Sequence, residues 1–325
     1  RPRTQPKHGS MWLTKSVLAL WLLLVAVGAV QAAEAAHAAP GAAATPSEGS
    51  SHHGLTPEAV KVGVILGLPI TNSMIVTWCV AFGLIVFARI ATRSMRAVPE
   101  GAQNFWEWLV ESLHDFLESI IGPALVKTTF WFFATIFIFI LFCNWLSLIP
   151  GVGTIGYGTA GDHGFHVTDP LLRGANADLN MTLAMSLVFF VCWTIWALKS
   201  NGPGGFVLHL FGPKGDTTGA LKVLMILVFI AVGLLEVVSI LFRPVSLSFR
   251  LYGNIFAGEN MLEAMAALIR EPAWLKHLAS VVIPIPFYFL EVLVGLVQAL
   301  VFMLLTSVFT LLICTHEEGH EEAHH

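Results

Sequence analysis

Charge is scarce in this chain. Only 12% of its 325 residues are Asp, Glu, Lys or Arg, whereas 56% are hydrophobic, a balance outside the range of ordinary soluble domains. The class left is a polytopic membrane protein. Cysteine is almost as sparse: Cys79, Cys143, Cys192 and Cys314 stand singly within or at the edges of apolar segments, with no Cys-x-x-Cys spacing. That removes a zinc ribbon and leaves them as small hydrophobes. No basic patch of nucleic-acid size occurs, because lysines and arginines sit beside apolar spans, where membrane topology accounts for them. Nucleic acid is therefore excluded as a partner. Nothing reads as Gly-x-x-x-x-Gly-Lys-Ser/Thr, so the chain has no P-loop nucleotide site. The paired inverted halves of many secondary transporters are also missing.

What is present begins with an N-terminal export pattern. Residues 1–10 read as a leader, and Met11 opens an n-region bearing Lys15 and an apolar h-region over 16–30. Val30-Gln31-Ala32 supplies small residues for cleavage, so 1–32 is expected to be leader and signal peptide, with an uncleaved first span as the alternative. Residues 33–64, rich in Ala, Gly, Ser, Pro and His up to His53, are expected to be a disordered extracytoplasmic segment. A membrane-embedded domain follows over 65–315, then a His/Glu-rich tail over 316–325.

Within that domain, 70–88 is an apolar span closed by Arg89, Arg93 and Arg96, which marks that end as cytoplasmic. Over 103–121, Phe105, Trp108, Leu109, Ser112, Leu113, Phe116 and Ile120 recur at helical spacing among Glu107, Glu111, Asp115 and Glu118. The pattern predicts an amphipathic helix along the cytoplasmic surface. Span 130–149 stops at Pro150-Gly151, and the glycine-rich loop to Asp178 carries Asp162, Asp169 and Asp178 against a single Arg173, which suits the outer side. Span 181–198 returns to Lys199, with Lys214 and Lys222 in the connector. The last two apolar segments, 222–269 around Pro244 and 281–314, exceed what a hydrocarbon core of about 30 Å requires at about 1.5 Å per residue. The fold expected is all-α: about five membrane-embedded helices, one amphipathic surface helix and a long tilted helical hairpin at the C-terminal end. The export signal implies a bacterial inner-membrane protein with its mature N-terminus outside, and the lysine and arginine distribution fits five crossings with the C-terminus in the cytoplasm.

Arg250 lies inside one of those long segments. A guanidinium cannot shed its proton to escape low dielectric, and at mid-membrane it costs about 3 kcal/mol on insertion scales. On a helix, Ser246, Arg250 and Asn254 share one face at i, i+4 and i+8. Continued across Pro244, the same helix adds Ser239 and puts Glu236 within about 40° of Arg250, whereas Glu259 points about 180° away. In the final segment Glu291, Gly295 and Gln298 share a face. Antiparallel packing brings Glu291 toward Glu259 and Gln298 toward Arg250.

The run Arg243-Pro244-Val245-Ser246-Leu247-Ser248-Phe249-Arg250-Leu251-Tyr252-Gly253-Asn254-Ile255-Phe256-Ala257-Gly258-Glu259 closely resembles the signature of the subunit a family of F-type ATP synthases. The likeness extends to Asn72-Ser73-Met74, to Asn144-Trp145-Leu146-Ser147-Leu148-Ile149-Pro150, to Ala177-Asp178-Leu179-Asn180-Met181-Thr182-Leu183 and to Gln298-Ala299-Leu300-Val301-Phe302. It covers residue 65 to the C-terminus. The resemblance implies a non-catalytic proton channel working against a rotating c-subunit ring, with b subunits of the peripheral stalk, the remaining F0F1 subunits and membrane lipid as partners and no cofactor. Two half-channels would serve the ring carboxyls. Arg250 would stand between them, attracting the ionised ring carboxylate, favouring its proton loss and blocking direct proton passage.

By the same resemblance the outer half-channel would be lined by Glu259, Glu291, Gln298, Asn254, Asn144, Asp178 and Asn180, and the cytoplasmic one by Glu236, Ser239 and Ser246. Structural readings stand beside these. Asp178 suits a helix N-cap, Asn144 an interhelical hydrogen bond, Glu259 and Glu291 an ion pair, Gln298 a packing amide, and the two serines close helix packing. Glu291 stands where some relatives have histidine and Ser147 where some have aspartate, which implies a differently tuned entry path; Glu291 also leaves sodium open as the coupling ion in place of the proton. His316-Glu317-Glu318-Gly319-His320 formally matches the H-E-x-x-H zinc-peptidase pattern. It sits in a polar tail, interrupted by Gly319 and with no folded segment after it, so an intramembrane zinc peptidase using His316, Glu317 and His320 is only the remote alternative. Incidental metal binding by His316, His320, His324 and His325 would not imply catalysis.

Overall fold

Five helices are long and apolar enough to cross a membrane, and they organise an all-α fold with two small β-hairpins attached. The computed structural model describes residues 59–314 apart from 66–67, 94, 150–151, 153–154, 162–163, 212–219, 267 and 269–272. The signal-peptide reading and the H-E-x-x-H tail fall outside the described residues.

The strands β1 (Lys61–Ile65) and β2 (Leu68–Thr71) pair antiparallel and lead into α1 (Asn72–Ala91). Composition had placed residues 61–64 in a disordered segment; the short Val-Gly-Val-Ile run of β-branched residues instead finds a partner in Leu-Pro-Ile-Thr. Helix α2 (Ala102–Ser147) follows. A second antiparallel hairpin, β3 (Gly156–Gly161) with β4 (Gly164–Pro170), fills much of the loop toward a 3-10 turn at Ala175–Ala177. Then come α3 (Leu179–Phe211), α4 (Ala220–Ala266), the short α5 (Ala273–Val282) and α6 (Pro284–Cys314).

One device bends both α2 and α3. Gly122 (φ 77°) and Gly202 (φ 67°) each leave the helical region directly before a proline, Pro123 and Pro203. A pre-proline residue is pushed out of the α region, and glycine alone takes positive φ at no steric cost. Thus α2 is an amphipathic helix up to residue 121 followed by a crossing helix. The apolar positions of the amphipathic part divide between protein and the outside. Leu113, Leu117 and Ile121 are buried, whereas Phe105, Trp108 and Phe116 are exposed. Aromatic rings on the outer side of such a helix suit the level of lipid headgroups.

The core forms around the crossing part of α2, where 67% of the most apolar window is buried, against 17% for α4. Phe132, Phe133 and Phe139 of α2, Met185 and Phe189 of α3 and Met303 of α6 are fully enclosed. Helix α4 therefore lies at the margin, with most of its apolar surface uncovered. It packs on α3 where Gly233 leaves room for backbone, since a Cβ there would land on the carbonyl oxygen of Leu210. The end of α6 is held by Asn201, whose Nδ2 donates to the Ile313 carbonyl (2.8 Å), and by Ser200, whose Oγ donates to that of Cys314 (3.3 Å). These satisfy carbonyls that a helix end otherwise leaves unpaired. Pro244 is accommodated inside α4, so the polar face runs through it as one helix.

Candidate functional site

Glu259 and Glu291 meet at the end of the α4–α6 pair that carries the β-hairpins. The side chain of Glu291 is buried against bare backbone: a Cβ added to Gly258 would coincide with its carboxyl group. Gly174 serves Glu259 in the same way, because a Cβ there would meet Glu259 Oε1 and would also lie 2.9 Å from the Cβ of Ser147. Two glycines thus make space for two carboxyls. Arg173 and Glu291 are the charged neighbours whose fields Glu259 feels. Among the described residues neither Glu259 Oε1 nor Glu291 Oε1 has a hydrogen-bond partner, and an acceptor enclosed without a donor is costly. Proton-carrying or hydrated carboxyls fit that situation.

A cavity of about 300 Å³ opens beside them, lined in part by Ser147, Arg173, Gly174, Glu259, Glu263 and Tyr288. Its polar lining and its volume leave room for water beside Glu259. Asn144 lies deeper. Its Nδ2 donates to the carbonyl of Gly295 (2.9 Å), and its Oδ1 accepts from Asn176 Nδ2 (2.6 Å). Trp145 adds a bond from Nε1 to the Val292 carbonyl at 3.2 Å. Both asparagines are buried, and the bond to α6 requires Gly295, whose missing Cβ would stand 3.0 Å from the Cβ of Asn144. Asn144 therefore ties α2 to α6 directly beneath Glu291.

Asp178 caps α3. Its Oδ1 accepts the backbone N–H of Asn180 (2.9 Å), and its Oδ2 accepts from Ser73 Oγ (2.5 Å), which joins the starts of α1 and α3. The side chain is buried and Asn180 is half-buried. Sequence reasoning missed Arg173, Gly174 and Asn176. Arg173 is buried and donates from Nη2 to the Ala177 carbonyl (3.1 Å). The one available signal was a lone arginine among the aspartates of a glycine-rich loop.

The outward face of α4 is different in kind. Ser239, Ser246, Arg250 and Asn254 are exposed, flanked by Leu235, Val238, Phe242 and Phe249, which are also exposed, and Glu236 is half-buried on the same side. Asn254 thus accompanies Arg250 and stands apart from the buried carboxyls. Gln298 comes from α6 to share a shallow cleft with Arg250, Leu247, Leu251, Val301 and Phe302. Arg250 makes no ion pair with any described residue. An arginine directed out of a membrane helix at mid-span does not face lipid without severe cost. A partner bearing negative charge is the fitting cover.

As for metals, His114, Asp115 and Glu118 of the amphipathic helix hold ligand atoms within 4.8 Å of one another. His114 Nδ1 is 3.6 Å from Asp115 and 3.5 Å from Glu118. These are surface pairs on the amphipathic part of α2, away from Glu259 and Glu291, and they are ordinary for such a helix.

Five long apolar helices, with an outward arginine on a margin helix and two carboxyls brought together between that helix and a second long one, define a multi-pass membrane protein of the channel type. Residues 74–310 match the family model described as ATP synthase A chain. The chain is 34% identical to ATP synthase subunit a 1 of Photobacterium profundum over 288 residues, 87% of this chain and 100% of that protein. It is 31% identical to ATP synthase subunit a of Gloeobacter violaceus over 253 residues, 78% of this chain and 86% of that one. Identity to subunit a of Mycobacterium tuberculosis is 32% over 259 residues, 78% and 92% of the two chains. The chain belongs to the ATP synthase A chain family, as subunit a of the F0 sector: the non-catalytic stator and channel subunit of a bacterial ATP synthase.

Proposed function

We propose that this subunit conducts protons to and from the carboxyls of a c-subunit ring through two half-channels that Arg250 keeps apart. The observation that carries the reading is the placement of Arg250. It is exposed on the margin helix, without a described ion partner, beside Gln298, and it lies along α4 between the half-buried Glu236 and Glu259. On this reading the hairpin end faces the outside, and the end bearing Arg93, Arg96 and Lys199 faces the cytoplasm, in line with the bias of basic residues.

A proton enters by the cavity at Arg173 and Tyr288, passes Glu259 and Glu291, and reaches a ring carboxylate near Asn254 and Gln298. The neutralised carboxyl can then move through lipid, where an ionised one cannot. On the other side of Arg250 a carboxyl releases its proton past Ser246, Ser239 and Glu236. The role of Arg250 is electrostatic throughout, because a permanent cation attracts each arriving carboxylate and repels a proton seeking a shortcut. In this scheme Asp178 and Asn144 shape the outer path by holding α1, α2, α3 and α6 around it. Residues 65–315 form the channel domain, and the b subunits of the peripheral stalk hold it against the turning ring.

Reconstituted ATP synthase tests the relay. Glu259→Gln and Glu291→Gln are each expected to slow proton flux about tenfold or more, the loss typical of a missing acid–base group, with normal assembly. Unchanged flux in both variants removes these residues from the path. Synthesis driven by a pH gradient is expected to proceed equally with and without sodium. An absolute sodium requirement would assign the channel to that ion instead.

A further inference from the structure

Seven residues before Arg250 stands a second intramembrane arginine. Arg243 is half-buried where α4 meets α3 and α6, and it makes no ion pair with any described residue. Its guanidinium carbon lies 4.5 Å from the ring centroid of Phe309 on α6 and 5.6 Å from that of Trp193 on α3. The two rings are themselves tied, since Trp193 Nε1 donates to the Phe309 carbonyl at 3.0 Å. The cation is thus clasped between aromatic groups of two different helices. Planar guanidinium groups stack on such faces, and the attraction strengthens when water is removed. Glu236, at i−7, is the charged residue whose field reaches it.

The clasp lies next to the weakest point of α4. Pro244 has no N–H to give to the Ile240 carbonyl, and its ring crowds that same turn. Bends concentrate where the ladder is interrupted. From Pro244 to Arg250 the helix rises about 9 Å, so a change of about 10° in the bend moves Arg250 by about 1.5 Å. A displacement of that size matters to a group that must meet passing carboxylates in a fixed geometry.

We propose that Arg243 is a positioning residue for Arg250: clasped by Trp193 and Phe309, it fixes the direction in which α4 continues past Pro244 and so the seat of Arg250 beside Gln298. This rests on the reading of Arg250 as the charge between the half-channels. It adds a role for a cation that touches neither the ring-facing stripe nor the buried carboxyls.

The test uses the complete synthase in proteoliposomes, with cysteines introduced by Leu247→Cys and Val301→Cys, two positions lining the cleft that holds Arg250. Arg243→Met is expected to assemble, to slow disulfide formation between 247 and 301 at least threefold, and to lower protons pumped per ATP hydrolysed at least fivefold. Arg243→Lys, which keeps a cation for the rings, should retain more than half of both. If Arg243→Met does not assemble, Phe309→Leu takes its place, with the same two losses expected. Cross-linking and pumping at the original level in the assembled variant would overturn the proposal. Lost pumping with unchanged cross-linking would overturn it too, by making Arg243 a charge that acts in its own right. Slowed cross-linking in Arg243→Met, together with full coupling in Arg250→Ala, would leave the positioning role standing and remove the reading of Arg250.

Discussion

Arg250→Ala is expected to abolish ATP synthesis driven by a proton gradient while leaving the complex assembled. Arg250 makes no ion pair with a described residue and stands on an exposed face, so removing it breaks no internal pair and opens no core cavity. Its loss falls on the partner instead. A ring carboxylate arriving in low dielectric without a cation bears a desolvation cost of several kcal/mol. Even about 3 kcal/mol in the rate-limiting step is about a hundredfold in rate. The carboxyl then stays protonated as it passes, and the ring loses its reason to turn in one direction. Arg250→Lys should rescue only partly, because a compact ammonium lacks the planar fork that engages a carboxylate with two bonds. ATP synthesis by proteoliposomes under an imposed pH gradient reads both variants. Synthesis at the unsubstituted rate in Arg250→Ala would remove the electrostatic gate from the mechanism.

The second large effect concerns a residue with no side chain. Gly258→Ala puts a methyl group where the Glu291 carboxyl now rests. That carboxyl is the end of a flexible side chain, so the expected response is a swing of Glu291 out of the seam with the helices left in place. Proton flux should fall about tenfold or more, as in Glu291→Gln, with little change in the amount of assembled complex. Coupling between the two positions supplies the sharper test, since contacting residues are not additive. In a Glu291→Ala background the space is empty, and Gly258→Ala should cost almost nothing further. A full additional tenfold loss there would mean that Gly258 acts through helix packing alone. Rapid mixing with a pH-sensitive dye trapped in vesicles measures the flux in all four proteins.

These contacts mark how far the sequence could be read. The apolar spans, the surface helix before Gly122 and the common face of Ser246, Arg250 and Asn254 were legible because helical periodicity and proline punctuation are local signals. The approach of Glu291 to Glu259 followed from antiparallel packing of two long helices. Its detail did not, because nothing local says that Gly258 and Gly174 are the surfaces on which the two carboxyls rest. Arg173 was invisible as a neighbour of Glu259 for the same reason: its loop has no period, and tertiary contacts alone bring it there. Which side of the surface helix packs on the protein was not legible, because amphipathic patterning does not say whether the larger rings meet protein or lipid. Trp193, Arg243 and Phe309 come from three helices, and no spacing along the chain announces their meeting.

The candidate membrane span of α4, Val228–Ala266, is 39 residues long, about 58 Å of helix for a slab of about 30 Å. A rod of that length confined to hydrocarbon must lie far over on its side. Distance along it then becomes chiefly distance across the membrane plane, so the 23 residues from Glu236 to Glu259, about 35 Å of rise, separate the two ports sideways more than in depth. A carrier shuttling between ports stacked one above the other would only bob up and down. On the proposed reading, ports offset by about 30 Å sideways and about 18 Å in depth give it a mainly horizontal stroke, and the slant of a single helix thereby supplies a lever arm.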